Sequence, residues 1–297
     1  MDVLSDVLTA LRTGRPHASH TQEQAPWGIR FPAGAGAGCH VLLKGSCWLL
    51  PARGEPIRLS VGDVVFVPHG AGYALADHPD SPLTEFRFDT AVPADAVTDQ
   101  DAPIQLLCAA YYFDRSSSHP LLEELPDVVH LSGRQPALAA AIELLAAELS
   151  DPRAGTSAIL SGLVDMLLLF VLRAWFDDER STQGWATVLA DPGLMAALHG
   201  IHGTPEHPWT VAELAGLSGM SRATFAKRFN SAVGRTPLGY LTWWRMTLAA
   251  RRLHDSDAPL RAIAARTGYG TEFALAKAFK RAYGVAPGEY RRRRLTG

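Results

Sequence analysis

Two short runs carry side chains that could do chemistry on a nucleic acid. Between Ser221 and Gly234, a helical period leaves Arg222, Ala223, Ala226, Lys227 and Asn230 facing outward. Between Thr271 and Gly284 it leaves Glu272, Phe273, Ala276, Lys277 and Lys280. Small residues let a helix backbone approach the base edges of a major groove, where lysine can donate to guanine O6 and N7. A single surface lysine is more often merely solvated, but the distribution of charge argues for the polyanion. From residue 199 onward there are 16 Lys and Arg against 6 Asp and Glu, and before it 12 against 24. The overall charge of −2 therefore hides a basic end and an acidic remainder, and a basic region of that size implies a nucleic-acid partner.

Imidazoles and thiols are the other candidates. Cys39, Cys47 and Cys108 form no CxxC or zinc-finger spacing, and their odd number argues against a disulfide framework. They offer a redox-sensing route, set against the commoner role of free cysteine as a small buried hydrophobe. Lys44 is the sole nearby basic residue in sequence that could depress a thiol pKa.

The elements that position the outward faces are duplicated. An offset of 50 joins Ser221 to Thr271, Phe225 to Leu275, Lys227 to Lys277, Phe229 to Phe279, Gly234 to Gly284, Pro237 to Pro287 and Tyr240 to Tyr290. Self-similarity at one period means a supersecondary unit used twice. Thr210 and Glu213 read as a capping box for a helix ending near Leu217, and Ser218-Gly219-Met220 as a turn. Ser221 is expected to cap a second helix whose Phe225, Phe229 and Val233 form one buried stripe. In the second unit Pro259 fits a first helical turn, Gly268 and Gly270 give the turn, and Thr271 caps. Leu275, Phe279 and Tyr283 repeat the stripe.

Residues Trp209 to Gly219 ("WTVAELAGLSG"), Ser221 to Gly239 ("SRATFAKRFNSAVGRTPLG"), the helix around Trp244 to Leu253, and Gly268 to Arg291 ("GYGTEFALAKAFKRAYGVAPGEYR") resemble the AraC family of bacterial transcription regulators. The resemblance covers about the last hundred residues. Phe273 departs from the family pattern, in which a small polar residue is frequent. It either meets a thymine methyl or packs inward, and packing is the reading preferred from sequence. Arg291 to Arg294 are expected to act as a basic tail on phosphates.

From Trp27 to about Tyr112 the texture is β-rich: Gly28 to Phe31, Cys39 to Leu43, Cys47 to Leu50, Ile57 to Leu59, Asp63 to Val67, Gly72 to Leu75 and Glu85 to Phe88, with Gly and Pro between. Gly62 to Gly70 ("GDVVFVPHG") resembles the second cupin motif, and with "HVLLKGSCWLL" before it the region resembles the cupin-type effector domain of one AraC subfamily. In that subfamily a following "LP", here Leu125-Pro126, leads into helices. A catalytic cupin holds its metal with His-x-His, Glu and a later His. Here His40 has no histidine two residues away, Tyr73 stands where a histidine is usual, and His69 and His78 are off position. No metal and no cofactor are expected. A barrel lumen that binds one small ligand or fills itself with side chains remains, with His40, Trp48, Phe66 and Tyr73 as candidate lining.

Residues 3 to 12 have amphipathic helical spacing, Ala137 to Leu149 reads as an Ala/Leu-rich helix, Thr156 to Phe176 as a longer and strongly apolar one, and Pro192 to Ile201 as a further helix. The helix from Thr156 must be covered by the barrel or by a second subunit, and Leu163, Leu167, Phe170 and Ala174 are one candidate dimer stripe. Asp2 and Asp6 interrupt any leader-like apolar stretch, and the run Met166 to Leu172 is too short to span a bilayer. A cytoplasmic location and no membrane partner are expected.

The expected architecture is α+β and multi-domain: residues 1–130 a cupin-like β-barrel sensor, 131–200 a helical linker and dimerisation segment, and 201–297 an all-α double helix-turn-helix. The expected function is sequence-specific regulation of transcription, more often activation by family precedent, under a small-molecule or redox signal. Double-stranded operator DNA, an effector, RNA polymerase and a second copy of the chain are the expected partners, and no enzyme activity is expected. The alternatives are a cupin metalloenzyme fused to a basic DNA-binding domain and a DNA binder without sequence preference.

Overall fold

The computed structural model describes residues 3–11, 17–34, 36–86, 101–112, 119–132, 135–177 and 184–293. The chain divides into two compact units, each discontinuous in sequence. Residues 13–113 and 125–178 make one, and residues 1–12, 114–124 and 179–297 make the other.

The first unit holds ten strands in two five-stranded sheets. They are β1 (His17–Glu23), β2 (Gly28–Phe31), β3 (Gly36–Lys44), β4 (Ser46–Pro51), β5 (Ile57–Ser60), β6 (Val64–Val67), β7 (Tyr73–Ala76), β8 (Thr84–Glu85), β9 (Ile104–Tyr112) and β10 (Val129–Leu131). One sheet runs β1-β9-β3-β6-β10 and the other β5-β4-β7-β2-β8. Every pairing is antiparallel except β2 with β8. Among the described residues no ladder joins the two sheets, so the barrel expected from sequence is two open sheets sharing a core of Leu42, Val65, Val67 and Leu106 with Leu49, Leu59, Tyr73 and Leu75. The expected strand end at Phe88 lies outside the described residues.

The run Val64 to Val67 is buried throughout. Val65 and Val67 face the core between the sheets, whereas Phe66, one residue out of phase, meets Tyr111 edge to face at 6.2 Å. The Tyr111 hydroxyl donates to the Val164 carbonyl at 2.6 Å. That carbonyl belongs to α4 (Thr156–Asp177), which packs with α3 (Pro136–Ser150) and against β1 and β10. Helices on one side and the second sheet on the other explain why this strand lacks alternation. Taken whole, the 22-residue α4 is long and apolar enough to cross a membrane, which the shorter run Met166 to Leu172 did not indicate. In the fold it is a packing helix: Leu160, Val164, Leu167, Leu168 and Val171 are buried.

The second unit is helical: α1 (Val3–Leu11), α2 (Pro120–Glu123), α5 (Trp185–Ala190), α6 (Pro192–Gly203), α7 (Val211–Leu217), α8 (Arg222–Val233), α9 (Pro237–Asp255), α10 (Leu260–Arg266), α11 (Glu272–Tyr283) and α12 (Pro287–Arg293). The capping box forms, with the Glu213 N–H donating to Thr210 Oγ1 at 3.2 Å and the Thr210 N–H to Glu213 Oε2 at 2.7 Å. Ser221 accepts from the Thr224 N–H at 3.2 Å and Thr271 from the Ala274 N–H at 3.1 Å. Both long helices end in a left-handed glycine, Gly234 at φ 74° and Gly284 at φ 75°, a conformation that spares only glycine a steric cost. Pro259, expected in the first turn, is itself the N-cap of α10, one position before the helix begins.

The expected boundary at residue 200 falls inside α6, which packs with α7 in one unit, and α1 also packs on α6 and α9. A chain of buried polar groups holds these elements. The Leu121 N–H donates to His119 Nδ1 (2.9 Å), so His119 carries its proton on Nε2 and donates to the Tyr240 oxygen (3.1 Å). Tyr240 then donates to His202 Nε2 (2.9 Å), and the His202 Nδ1–H to Asp6 (3.3 Å). Each member has one role and each is satisfied. Burial lowers the pKa of both histidines and raises that of Tyr240, which keeps the chain of hydrogen bonds neutral between the ring groups.

Candidate functional site

The stripes Phe225, Phe229 and Val233 of α8 and Leu275 and Phe279 of α11 are fully buried. That orientation turns the opposite faces to solvent. Arg222, Ala223, Lys227 and Asn230 are exposed on α8, with Ala226 half-buried between them. On α11 Phe273, Lys277 and Lys280 are exposed, with Glu272 and Ala276 half-buried. Phe273 does not pack inward: it is 79% exposed, because in the first turn after the Thr271 cap it lies on the Lys277 side and away from Leu275 and Phe279.

Helices α8 and α11 are joined through α9, whose 19 residues make a rod about 28 Å long. Its first half belongs to the first helix-turn-helix. Trp244 stacks on His202 at 4.0 Å, Trp243 meets His119 at 4.9 Å, and Tyr240 meets Phe229 at 6.0 Å. Its second half, Met246, Ala249, Ala250 and Leu253, packs with Ile263, Ala264, Leu275 and Phe279 of the second. Trp243 and Trp244 thus serve the first unit and Met246 the second, while Leu248 is only half-buried.

Arg245 was missed from sequence. Its guanidinium donates to the carbonyls of Pro205 (2.6 Å) and His207 (2.8 Å), and it sits 6.0 Å from the Tyr269 ring. Gly268, at φ +75°, would place a Cβ 2.6 Å from Arg245 Nη2. One side chain therefore ties the segment before the first unit to the turn of the second. Arg291 is likewise not a loose tail residue: it is half-buried and donates to the Ala258 carbonyl at 2.6 Å. Arg294 lies outside the described residues.

The sheet unit contains a mainly apolar cavity of about 230 Å³. Of the expected lining, His40 and Tyr73 border it, and Trp48 and Phe66 do not. Trp48 alternates with the core residues Cys47 and Leu49 and so faces away, and Phe66 faces the helix layer. Cys108 borders the cavity, Cys39 lies on the opposite face of β3 from His40, and Cys47 is in the core. Burial pushes all three thiols up to about 12, which keeps them protonated and poorly nucleophilic. Both His40 nitrogens are engaged, Nε2 with the Tyr73 hydroxyl at 2.5 Å and Nδ1 with Cys108 Sγ at 3.1 Å. Among the described residues no three His, Cys, Asp or Glu side chains gather in a way that could hold a metal ion.

A doubled helix-turn-helix with basic outer faces, on a chain that also carries a two-sheet unit with an apolar cavity, defines a DNA-binding regulator. Residues 2–177 match the family described as Cupin, and residues 214–293 the family described as Helix-turn-helix domain. The chain is 34% identical over 299 residues to a putative AraC-like transcription regulator of Streptomyces antibioticus, with 98% of this chain and 99% of the relative covered. It is 30% identical over 307 residues to the HTH-type transcriptional regulator AlkR of Acinetobacter baylyi, with the same coverage. Among solved structures it is similar to the DNA-binding domain of AdpA in complex with a target DNA, at 34% identity over 36% of this chain and 99% of that chain, TM-score 0.34. This chain belongs to the AraC family of transcription regulators: a cupin domain precedes a DNA-binding helix-turn-helix domain, and its relatives are regulators rather than enzymes.

Proposed function

We propose that α8 and α11 enter successive major grooves about 34 Å apart on one face of an operator. In this reading Arg222, Ala223, Ala226, Lys227 and Asn230 read one half of the site, and Glu272, Phe273, Ala276, Lys277 and Lys280 the other. The observation that carries it is the repetition at an offset of 50, which puts an exposed, cationic face on each helix opposite a corresponding buried stripe, Phe225, Phe229 and Val233 in one and Leu275 and Phe279 in the other. The cupin unit receives a small-molecule signal in its cavity. A thiol signal is the weaker alternative, because Cys39, Cys47 and Cys108 are buried and protonated.

The finer assignments follow the family. Residues 1–130 act as sensor, 131–200 as linker and dimerisation segment, and 201–297 as the DNA reader, in the cytoplasm, as a homodimer that activates through RNA polymerase. The outer side of α3 and α4, where Leu144 and Ile159 are exposed and Leu163 and Phe170 half-buried, supports the dimer. The stripe Leu163, Leu167, Phe170 and Ala174 contributes only in part, since Leu167 and Ala174 are spent on the core.

Selection of DNA by the full-length chain from a random pool tests the reading. Enrichment of one sequence with two half-sites a helical turn apart is expected. Equal retention of unrelated sequences would sink it in favour of a binder without preference.

A further inference from the structure

The cavity exists because one sheet is floored with small residues where the other is walled with rings. In the β3–β9 pairing, Gly36 lies opposite Tyr112, Gly38 opposite Ala110 and His40 opposite Cys108, all on one face. Across the cavity stand Phe31, Tyr73 and Phe86, with Phe31 stacked on Tyr73 at 4.8 Å and 17°. A Cβ on Gly38 would lie 2.1 Å from the Tyr73 hydroxyl oxygen, so the glycine is what lets that hydroxyl reach over the floor. An apolar void of about 150 Å³ holds benzene. At about 230 Å³ this one has room for a substituted ring or a small fused pair.

The polar end of the cavity is a relay without charge. A neutral imidazole carries one proton. When the Tyr73 O–H donates to His40 Nε2, the Nδ1–H donates to Cys108 Sγ, and the phenol oxygen keeps a lone pair for a ligand's donor. When the Cys108 S–H donates to Nδ1, the Nε2–H donates to the phenol oxygen, and the phenol proton is released for a ligand's acceptor. Burial holds His40 down to about 3, so neither arrangement acquires a charge near neutral pH. Among the described residues no Asp, Glu, Lys or Arg borders the cavity. An ionised ligand would shed its hydration there with no counter-charge.

We propose that the effector is an uncharged, planar, ring-bearing molecule with a single hydrogen-bonding group that meets the Tyr73 hydroxyl. This rests on the reading that the cupin unit senses a small molecule, and it adds the chemical class.

Calorimetric titration of the full-length chain with acetophenone, ethylbenzene, benzoate and benzylammonium tests it. Acetophenone is expected to bind about tenfold more tightly than ethylbenzene, the usual worth of one net hydrogen bond. Benzoate and benzylammonium are expected to give no heat at the same concentrations. Tyr73→Phe should erase the advantage of acetophenone over ethylbenzene. Ala110→Leu should fill the floor and abolish both. If Ala110→Leu does not fold, Tyr73→Phe still decides. Binding of either ion as tightly as acetophenone would overturn the neutral class and leave the cavity as a sensing site. No heat from any of the four, or heats unchanged by both variants, would overturn the site as well, while operator selection measures the DNA-binding reading independently.

Discussion

The two helix-turn-helix units share a skeleton and differ in what surrounds it. Caps, buried stripes and left-handed glycines recur at one offset, yet Arg228 of α8 forms an ion pair with Asp191 at 2.7 Å, where α11 has Ala278. The first unit is embedded in an aromatic and histidine core shared with α1, α2, α5 and α6. The second rests on α9 and α12, with Phe279, Tyr283 and Tyr290 packed together. Outward, Ala223 and Asn230 are replaced by Phe273 and Lys280. One motif thus serves two tasks: the first unit is built to be held, and the second to present an unusual surface.

The largest expected effect separates the two cores. Phe229→Ala and Phe279→Ala should each cost about 3–5 kcal/mol. In hydrogen exchange the first should expose α5, α6 and the start of α9, the second only α10, α11, α12 and the end of α9. Loss of protection spread evenly over both units in both variants would erase the distinction.

Acid should sharpen the comparison. His119 and His202 have lowered pKa values in the fold, and no histidine follows His254 in the sequence of the second unit. Below the ordinary value of 6.5 the unfolded chain takes up protons that the folded chain refuses. The stability from these groups is therefore complete above 6.5 and is lost as pH falls, by up to about 1.4 kcal/mol per pH unit for each histidine. Exchange at pH 5.5 should open α8 before α11, and the reverse order would contradict the assignment.

On DNA, Lys227→Ala and Lys277→Ala should each cost about 1–3 kcal/mol and relax base preference in opposite halves of the operator. Equal losses on specific and random DNA would reduce both to phosphate contacts. Smallest is Phe273→Ala, which should cost about 0.8 kcal/mol if the ring covers one thymine methyl. Replacing the facing thymine with uracil should cost the same and should abolish the effect of the mutation, whereas an unchanged mutational effect on uracil DNA would remove the methyl contact.

Much of this was legible in the sequence, because a doubled motif checks itself: Thr210, Ser221, Thr271, Gly234 and Gly284 each cap as their residue type requires. Where a signal depends on partners far along the chain it was not. β1, "HASHTQE", has no apolar alternation and is a strand only because β9 pairs with all of it. The short helices α2 and α5 gave no periodicity to read. Phe66 was misplaced because its strand is buried on both faces, and Trp48 because Cys47-Trp48-Leu49-Leu50 is apolar on both faces in sequence although the face of Trp48 is only half-buried. The alternation Gly34-Ala35-Gly36-Ala37-Gly38 was the available sign of a cavity floor. Arg291 read as part of a free basic tail and Arg245 drew no reading at all, since no local pattern shows which carbonyls a guanidinium will reach.

Those carbonyls also matter to the central claim, that both units read DNA together because α9 and Arg245 hold them in one pose. Hydroxyl-radical footprinting of the full-length chain on its selected operator tests this most directly, since a fragment starting at residue 199 would lose Asp6, His119 and Trp185 from the first unit's core. Protection of two adjacent major grooves on one face is expected. It should be lost from one groove after a two-residue insertion near Thr247, which turns one unit by roughly 200° about the helix. Protection of a single groove, unchanged in extent and affinity by the insertion, would contradict it.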